Sequence, residues 1–185
     1  MRKVRLHGRG GQGAVVASKI LADAYFRRGL HVQAFPAFGM ERRGAPVAAF
    51  VRAGREPVRH RGEIVDPNAV IVLDKAILSM VQVARGAPPG AVVLLNHHLP
   101  PGEVGLAEGL NVATVDATGI AVRHGIGTRL APIVNTVILG AFARLDPELD
   151  QEAVLAAVEA GSPSKAEANV AAAREAYEGL RMGGE

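Results

Sequence analysis

The sequence contains no cysteine. That excludes a disulfide, a cysteine nucleophile and any cysteine-held iron–sulfur cluster within this chain. Tryptophan is also absent and aromatic residues make up only 4%, which leaves few platforms for stacking bases or sugars. No apolar run approaches the roughly 18 residues that suggest a membrane span. The opening Met1-Arg2-Lys3 leads within a few residues into glycines, unlike a secretory signal, so a cytoplasmic location is expected, without membrane partners. The formal charge is +3 and the pI about 9.7, but the arginines are scattered outside residues 41–61. Nothing resembles the dense basic stripe and module of a nucleic-acid binder, so no nucleic acid is expected. Gly-x-Ser-x-Gly is missing, and no nucleophile–His–acid set follows from spacing. His97 and His98 are adjacent and point in different directions with no third ligand spaced around them, so no metal centre is expected.

What is present argues for a folded α/β protein. The 185 residues, 49% hydrophobic and 21% charged, suit one domain over residues 1–185 with a sizeable core. The most informative stretch is the first turn. A short apolar run, Val4-Arg5-Leu6-His7, enters Gly8-Arg9-Gly10-Gly11-Gln12-Gly13. Residues 14–28 follow, with Ala17, Ile20, Leu21 and Ala24 on one helical face. The pattern is a Rossmann-like strand, glycine loop and helix. Glycines accept positive φ and allow close approach, and the unpaired N–H groups opening the helix favour a phosphate or carboxylate. Gly8, Gly10 and Gly13 fit G-x-G-x-x-G, yet the acid that should follow about 20 residues later is missing from Leu30-His31-Val32-Gln33-Ala34-Phe35-Pro36. The turn therefore reads either as a ligand cradle or as a packing device.

Residues 30–35 read as a second, buried strand. The next loop holds Phe38, Met40, Glu41, Arg42, Arg43, Gly44 and Ala45, and reads either as a solvated loop or as an anion contact, since adjacent arginines supply forked donors. Residues 46–52 read as a strand, with a turn at 54–56 and a short return at 57–58, a hairpin-like insertion that would make the mostly parallel sheet mixed. Residues 69–73 and 91–95 read as buried parallel strands and residues 111–115 as a further one. Asp74, at a strand's carboxyl end, suits either a ligand or a cap for a helix over 75–84. A helix-like stretch follows Asp116 to His124. Pro132 predicts the first turn of an apolar helix over 133–145, buried centrally or at a subunit interface. Asn135 is its polar exception, a brace or a site residue. Asp146-Pro147 predicts the start of a helix to Ala160, and Ser162-Pro163 that of the last helix, to about Leu180. Alternating elements imply a sheet with helices on both faces.

These motifs, in this order, resemble the gamma subunit, or gamma domain, of the 2-oxoacid:ferredoxin oxidoreductases. The likeness rests on four stretches. The first is Gly8-Arg9-Gly10-Gly11-Gln12-Gly13. The second is the loop Phe38-Gly39-Met40-Glu41-Arg42-Arg43-Gly44 leading into Val47-Ala48-Ala49-Phe50-Val51-Arg52. The third and fourth are Asn135-Thr136-Val137-Ile138-Leu139-Gly140-Ala141 and Lys165-Ala166-Glu167-Ala168-Asn169. Ala45 departs from the family, whose loop has a second glycine there, and a positive φ or a close contact at that position would be altered.

The resemblance implies an assembly that decarboxylates a 2-oxoacid, pyruvate first among them, on thiamine diphosphate with Mg. Its iron–sulfur clusters pass electrons to ferredoxin, and most members transfer the acyl group to coenzyme A. The thiamine and cluster sites belong to partner chains of alpha, beta and delta type. This chain, which has no Gly-Asp-Gly…Asn motif, is then a non-catalytic, free-standing subunit that docks the catalytic chains and lines the coenzyme A approach. Its contact residues would be Gly8, Gly10, Gly11, Gln12 and Gly13, with Glu41, Arg42, Arg43, Gly44 and Asn135. The rival readings are a free-standing NAD(P)- or FAD-binding module and a structural homo-oligomer.

Overall fold

A computed structural model of the chain describes residues 1–37, 44–106 and 108–183. Seven strands form one sheet. They are β1 (Arg2–Arg9), β2 (His31–Pro36), β3 (Pro46–Gly54), β4 (Ala69–Val72), β5 (Val92–Asn96), β6 (Asn111–Val115) and β7 (Arg181–Met182), in the spatial order β2-β3-β1-β4-β5-β6-β7. The α-helices are α1 (Ala14–Arg27), α2 (Ala117–Arg123), α3 (Val137–Ala143), α4 (Gln151–Gly161) and α5 (Ala166–Glu178). The four consecutive strands β1, β4, β5 and β6 run parallel, while β3 is antiparallel to both β1 and β2, and β7 is antiparallel to β6. The sheet is mixed, as expected.

Strand alternation divides the core. Val4 and Leu6 of β1, Ala69 and Ile71 of β4, Leu94 of β5 and Ala113 and Val115 of β6 point to the α-helical layer. Val70, Val72, Val93 and Leu95 point to the other face, where the 3-10 helix Lys75–Ser79 brings Ile77 onto them. The period of two thus places helices on both faces. All four residues of β4 are buried, as a central parallel strand requires.

Several elements depart from the sequence expectations, each through a tertiary contact. The strand at 46–52 makes no hairpin with residues 57–58, because β3 inserts between β1 and β2 and both its edges are taken. That leaves β2 at the sheet's margin, half-exposed rather than buried. The helix over 75–84 stops as a 3-10 turn at Ser79. Beyond it, the guanidinium of Arg5 donates to the carbonyls of Val83 (2.9 Å) and Arg85 (2.6 Å).

The apolar helix begins at Val137, not Ile133. The N–H of Ile133 donates to Ile126 O (3.2 Å) and Pro132 bridges Gly127, which keeps this stretch extended. All seven residues of α3 are buried beneath α2, α4 and α5. It is therefore a central helix rather than an interface, and a Cβ on Gly140 would collide with the carbonyl of Ala173 in α5. Asp150, not Asp146, caps α4 by accepting from Ala153 N (2.7 Å). The carboxylate of Asp146 is buried, accepting from Tyr25 Oη (2.6 Å) and Arg2 Nε (2.8 Å). The last helix starts at Ala166, after Lys165 in the left-handed region (φ 52°). Among the described residues, no helix is long and apolar enough to cross a membrane.

Candidate functional site

The carboxyl ends of β1, β4, β5 and β6 all point to one rim of the sheet. From β1 the chain departs toward β2 and β3 on one side and returns to β4 on the other, so the β1–β4 boundary is a switch point, where open α/β sheets hold ligands. A cavity of about 950 Å³ opens there. Its wall is built from the turn after β1, Gly44, the ends of β4, β5 and β6, Gly127, Thr128 and residues 130–135.

The glycine turn is bound tightly to β4. Gln12 accepts from Arg9 N through Oε1 (2.7 Å) and donates through Nε2 to Asp74 Oδ2 (2.6 Å). Arg9 Nε donates to the same oxygen (2.6 Å), while Asp74 Oδ1 accepts from Ala76 N (2.9 Å). Asp74 is thus a cap and the anchor of the turn together. Burial pushes its carboxyl up, but the Ala76 N–H, the Gln12 amide and Arg9 outweigh that and hold it below the ordinary value.

Gly11 and Gly13 have φ of 96° and 79°. Gly13 caps α1, and its carbonyl accepts from Ala17 N (2.8 Å) and, more weakly, from Asn135 Nδ2 (3.4 Å). Gly8 sits against Leu73 and Ala14, where a Cβ would lie 3.2 Å from Leu73 Cδ1. Gly10 exchanges backbone bonds with the next loop: its N–H donates to Ala45 O (2.9 Å) and its carbonyl accepts from Gly44 N (3.2 Å). Among the described residues of that loop Gly44 is left-handed (φ 82°), and Lys165 is the one described non-glycine residue with positive φ. Alanine at position 45 therefore carries no left-handed strain. Glu41, Arg42 and Arg43 lie outside the described residues.

Asn135 precedes α3 and lines the cavity while bracing it. Its Oδ1 accepts from Thr136 N (2.9 Å), and Thr136 Oγ1 donates to Asn169 Oδ1 (2.6 Å), which ties the turn to α5. On the other side, Asn96 donates to Leu73 O and Thr118 Oγ1 (both 2.9 Å) and accepts from Thr118 N (3.1 Å). The backbone of Leu99 donates to His97 Nδ1 (3.0 Å), and the rings of His97 and His98, expected from their adjacency to point in different directions, instead stack at 5.0 Å. Burial, His98 and Lys75, in that order, lower the pKa of His97. No group of three or more metal-ligating side chains occurs among the described residues.

The pyruvate ferredoxin/flavodoxin oxidoreductase family model matches residues 3–179. The chain belongs to that family. As a gamma-type subunit it is 44% identical, over the whole of both chains, to pyruvate synthase subunit PorC of Methanothermobacter marburgensis. It is 45% identical to the pyruvate/ketoisovalerate oxidoreductases common subunit gamma of Thermococcus kodakarensis, covering 96% of each chain. The crystal structure of pyruvate oxidoreductase subunit PORC from Thermotoga maritima superposes with a TM-score of 0.83 at 32% identity, covering 98% of each chain.

Within this gamma-type chain, Gly10, Gly11, Gln12, Gly13, Gly44 and Asn135 meet around one cavity, and Gly8 lies directly behind it. Arg9, Lys75, Asn96, His97, His98, Thr118, Gly127, Thr128 and residues 130–134 join them, and the sequence pattern did not single these out as a ligand wall. One signal was available: Asp74, Asn96 and Asp116 each stand where an apolar strand run ends.

Proposed function

We propose that this chain is the non-catalytic gamma subunit of a multi-subunit 2-oxoacid:ferredoxin oxidoreductase with pyruvate as its 2-oxoacid. In this reading the assembly oxidatively decarboxylates pyruvate to an acyl-coenzyme A and passes the electrons to ferredoxin. Thiamine diphosphate, Mg and iron–sulfur clusters reside in the alpha-, beta- and delta-type partners. A chain without cysteine holds no cysteine-ligated cluster of its own. The observation that carries the reading is the family match over residues 3–179, supported by relatives named as PorC or gamma subunits across nearly their full length.

This chain's part is to dock the catalytic chains and to line the approach of coenzyme A. A cavity of about 950 Å³ at the switch point has the size of a site for a ligand of that class. The turn at Gly10–Gly13 and the start of α1 would offer backbone N–H groups to a phosphate, with Arg42 and Arg43 as further contacts. Arg9, Gln12 and Asp74 bond to one another and so fix the turn's shape rather than supply a reacting group.

The dinucleotide-module reading loses its geometry. In that fold the strand carrying the ribose-binding acid lies beside β1, whereas here β3 separates β2 from β1. The end of β2 lies two strand spacings from β1, about 9–10 Å, instead of one, and it carries Phe35 and Pro36 instead of an acid. The experiment is an anaerobic pull-down of the tagged chain, with mass spectrometry of the partners and an assay for pyruvate- and coenzyme A-dependent dye reduction. Co-elution of a thiamine-binding chain and a cysteine-rich chain, with activity, is expected. A lone, inactive chain that binds NAD(P) would overturn the assignment.

A further inference from the structure

We propose that strand β2 pairs edge to edge with β2 of a second copy of this chain, antiparallel and centred on Gln33, so that one sheet runs through both molecules. The inference goes beyond the coenzyme A reading and does not rest on it.

The two margins of the sheet differ. One ends in β7, two residues long. The other ends in β2, six residues without an Asp, Glu, Lys or Arg. Short strands and charged side chains are common guards of a sheet margin, since they deny a template to other chains. The β7 margin is guarded by its shortness, whereas β2 is left open along its backbone.

The β2–β3 pairing shows which groups are open. Ala37 N donates to Ala48 O (2.8 Å), continuing the ladder. By alternation, His31, Gln33 and Phe35 exchange bonds with β3, while Val32, Ala34 and Pro36 turn their backbone groups outward. Among the described residues, no backbone group meets the outward N–H and C=O of Val32 and Ala34. Proline, which has no N–H, suits such an outward position.

These groups are self-complementary in one two-fold register. With Gln33 opposite Gln33 of the second copy, Val32 faces Ala34, and the two exchange both backbone bonds. Sliding until Ala34 faces Ala34 sets Val32 against Pro36, which has no donor to give. Sliding the other way calls on the Leu30 N–H, already donated to Tyr25 O (3.2 Å). The side chains fit the same register. Val32 and Ala34 stay on the α-helical face. Gln33 lies on the other, where its Oε1 accepts from Arg52 (3.1 Å), leaving Nε2 to donate to Gln33 of the second copy. No like charges meet. Helix α1 adds apolar surface: Ile20 packs on Gly161 of α4, and on the flank away from α4, above the β2 margin, Phe26 is 66% exposed.

The test is sedimentation velocity on the purified full-length chain over a concentration series. Ala34→Pro removes an outward N–H and leaves the bonds to β3 in place. Gln33→Glu keeps an acceptor for Arg52 but sets two carboxylates face to face at the axis, and Gln33→Lys sets two ammonium groups there. Circular dichroism melting checks that each variant folds as the parent does.

A monomer–dimer equilibrium is expected of the parent chain. Ala34→Pro and Gln33→Glu should each weaken it about tenfold or more, and mixing Gln33→Glu with Gln33→Lys chains should restore it. A parent chain that is monomeric at every concentration would overturn the proposal. So would folded Ala34→Pro and Gln33→Glu chains that dimerise with parental affinity, because another surface then joins the copies. Failure of the mixture to recover would overturn the register centred on Gln33.

Discussion

Replacing Gly13 by alanine separates two costs that usually arrive together. The residue has φ 79°, and a Cβ built there would press into Asn135 Nδ2 and lie 3.1 Å from Asn135 Cγ. Left-handed backbone costs an L-residue about 1–2 kcal/mol. Displacing Asn135 adds the loss of its bonds to Gly13 O and Thr136 N, at about 0.5–1.5 kcal/mol each. The expected total for Gly13→Ala is about 2–5 kcal/mol. Gly11→Ala is the internal control, because φ is 96° there but nothing lies within 4 Å of the new Cβ; it should cost only the conformational part. Asn135→Ala removes the atoms that clash and leaves a contact with the Asn135 Cβ at an ordinary 3.5 Å. In the double variant, Gly13→Ala should therefore cost no more than Gly11→Ala does. Urea unfolding of the five proteins, followed by circular dichroism, gives the cycle. Equal losses for Gly11→Ala and Gly13→Ala, or no coupling with Asn135→Ala, would refute the argument that Asn135 closes over the turn.

Other outcomes follow from the remaining geometry. Burial first, then Arg5, lower His7 to about 4, below the ordinary 6.5. The unfolded chain takes up a proton at this position before the folded one does. Stability should accordingly fall by up to about 3 kcal/mol as pH drops from 6.5 to 4, and His7→Asn should flatten that part of a pH series of urea melts. Gly140→Ala would drive a methyl into the carbonyl of Ala173 and prise α3 from α5; a loss above about 3 kcal/mol, or failure to fold, is expected in thermal melts. Glu175 bonds Arg123 and, at 2.6 Å, His124, and these two partners, led by Arg123, hold its pKa below 4.5. Because the group is well exposed, this latch between α2 and α5 should contribute under about 1 kcal/mol. That contribution is complete above the ordinary pKa and lost as pH falls through the depressed one, so Glu175→Gln should narrow the gap between unfolding midpoints at pH 6 and pH 3, and added salt should narrow it too.

Much of this architecture was legible residue by residue. The runs Val70-Ile71-Val72 and Val93-Leu94-Leu95 are apolar on both sides, and only a sheet covered on both faces buries them so. The glycines before Ala14 marked the first βα turn, and Asp116 marked the start of α2. What escaped depends on partners distant in sequence. No local pattern says that β3 will enter between β1 and β2, and that insertion decides that residues 31–36 are half-exposed. Pro132 is a good first helical residue, yet the Ile126 carbonyl holds Ile133 extended. Asp146 looked like a cap because Pro147 follows it; Tyr25 and Arg2 claim it from more than 100 residues away. The partnership of Arg9 and Gln12 with Asp74, across more than 60 positions, was equally hidden. Asn135 is a brace, and it also lines the cavity.

The place of β1 also sets a timetable for biosynthesis. The strand is made first, but both its edges wait for later sequence: β3 pairs with it through residues 46–53 and β4 through residues 69–72. A ribosome that has released only the first 36 residues has made β1, α1 and β2 with a gap one strand wide between the two strands. Helix α1 can form at once, whereas the sheet cannot begin to close until β3 emerges and fills that gap. Through that interval β1 exposes two unpaired edges, the feature that invites pairing with another chain, and its contacts are among the long-range ones that slow folding. The strand that ends in the glycine turn is thus the oldest part of the nascent chain and among the last to be secured.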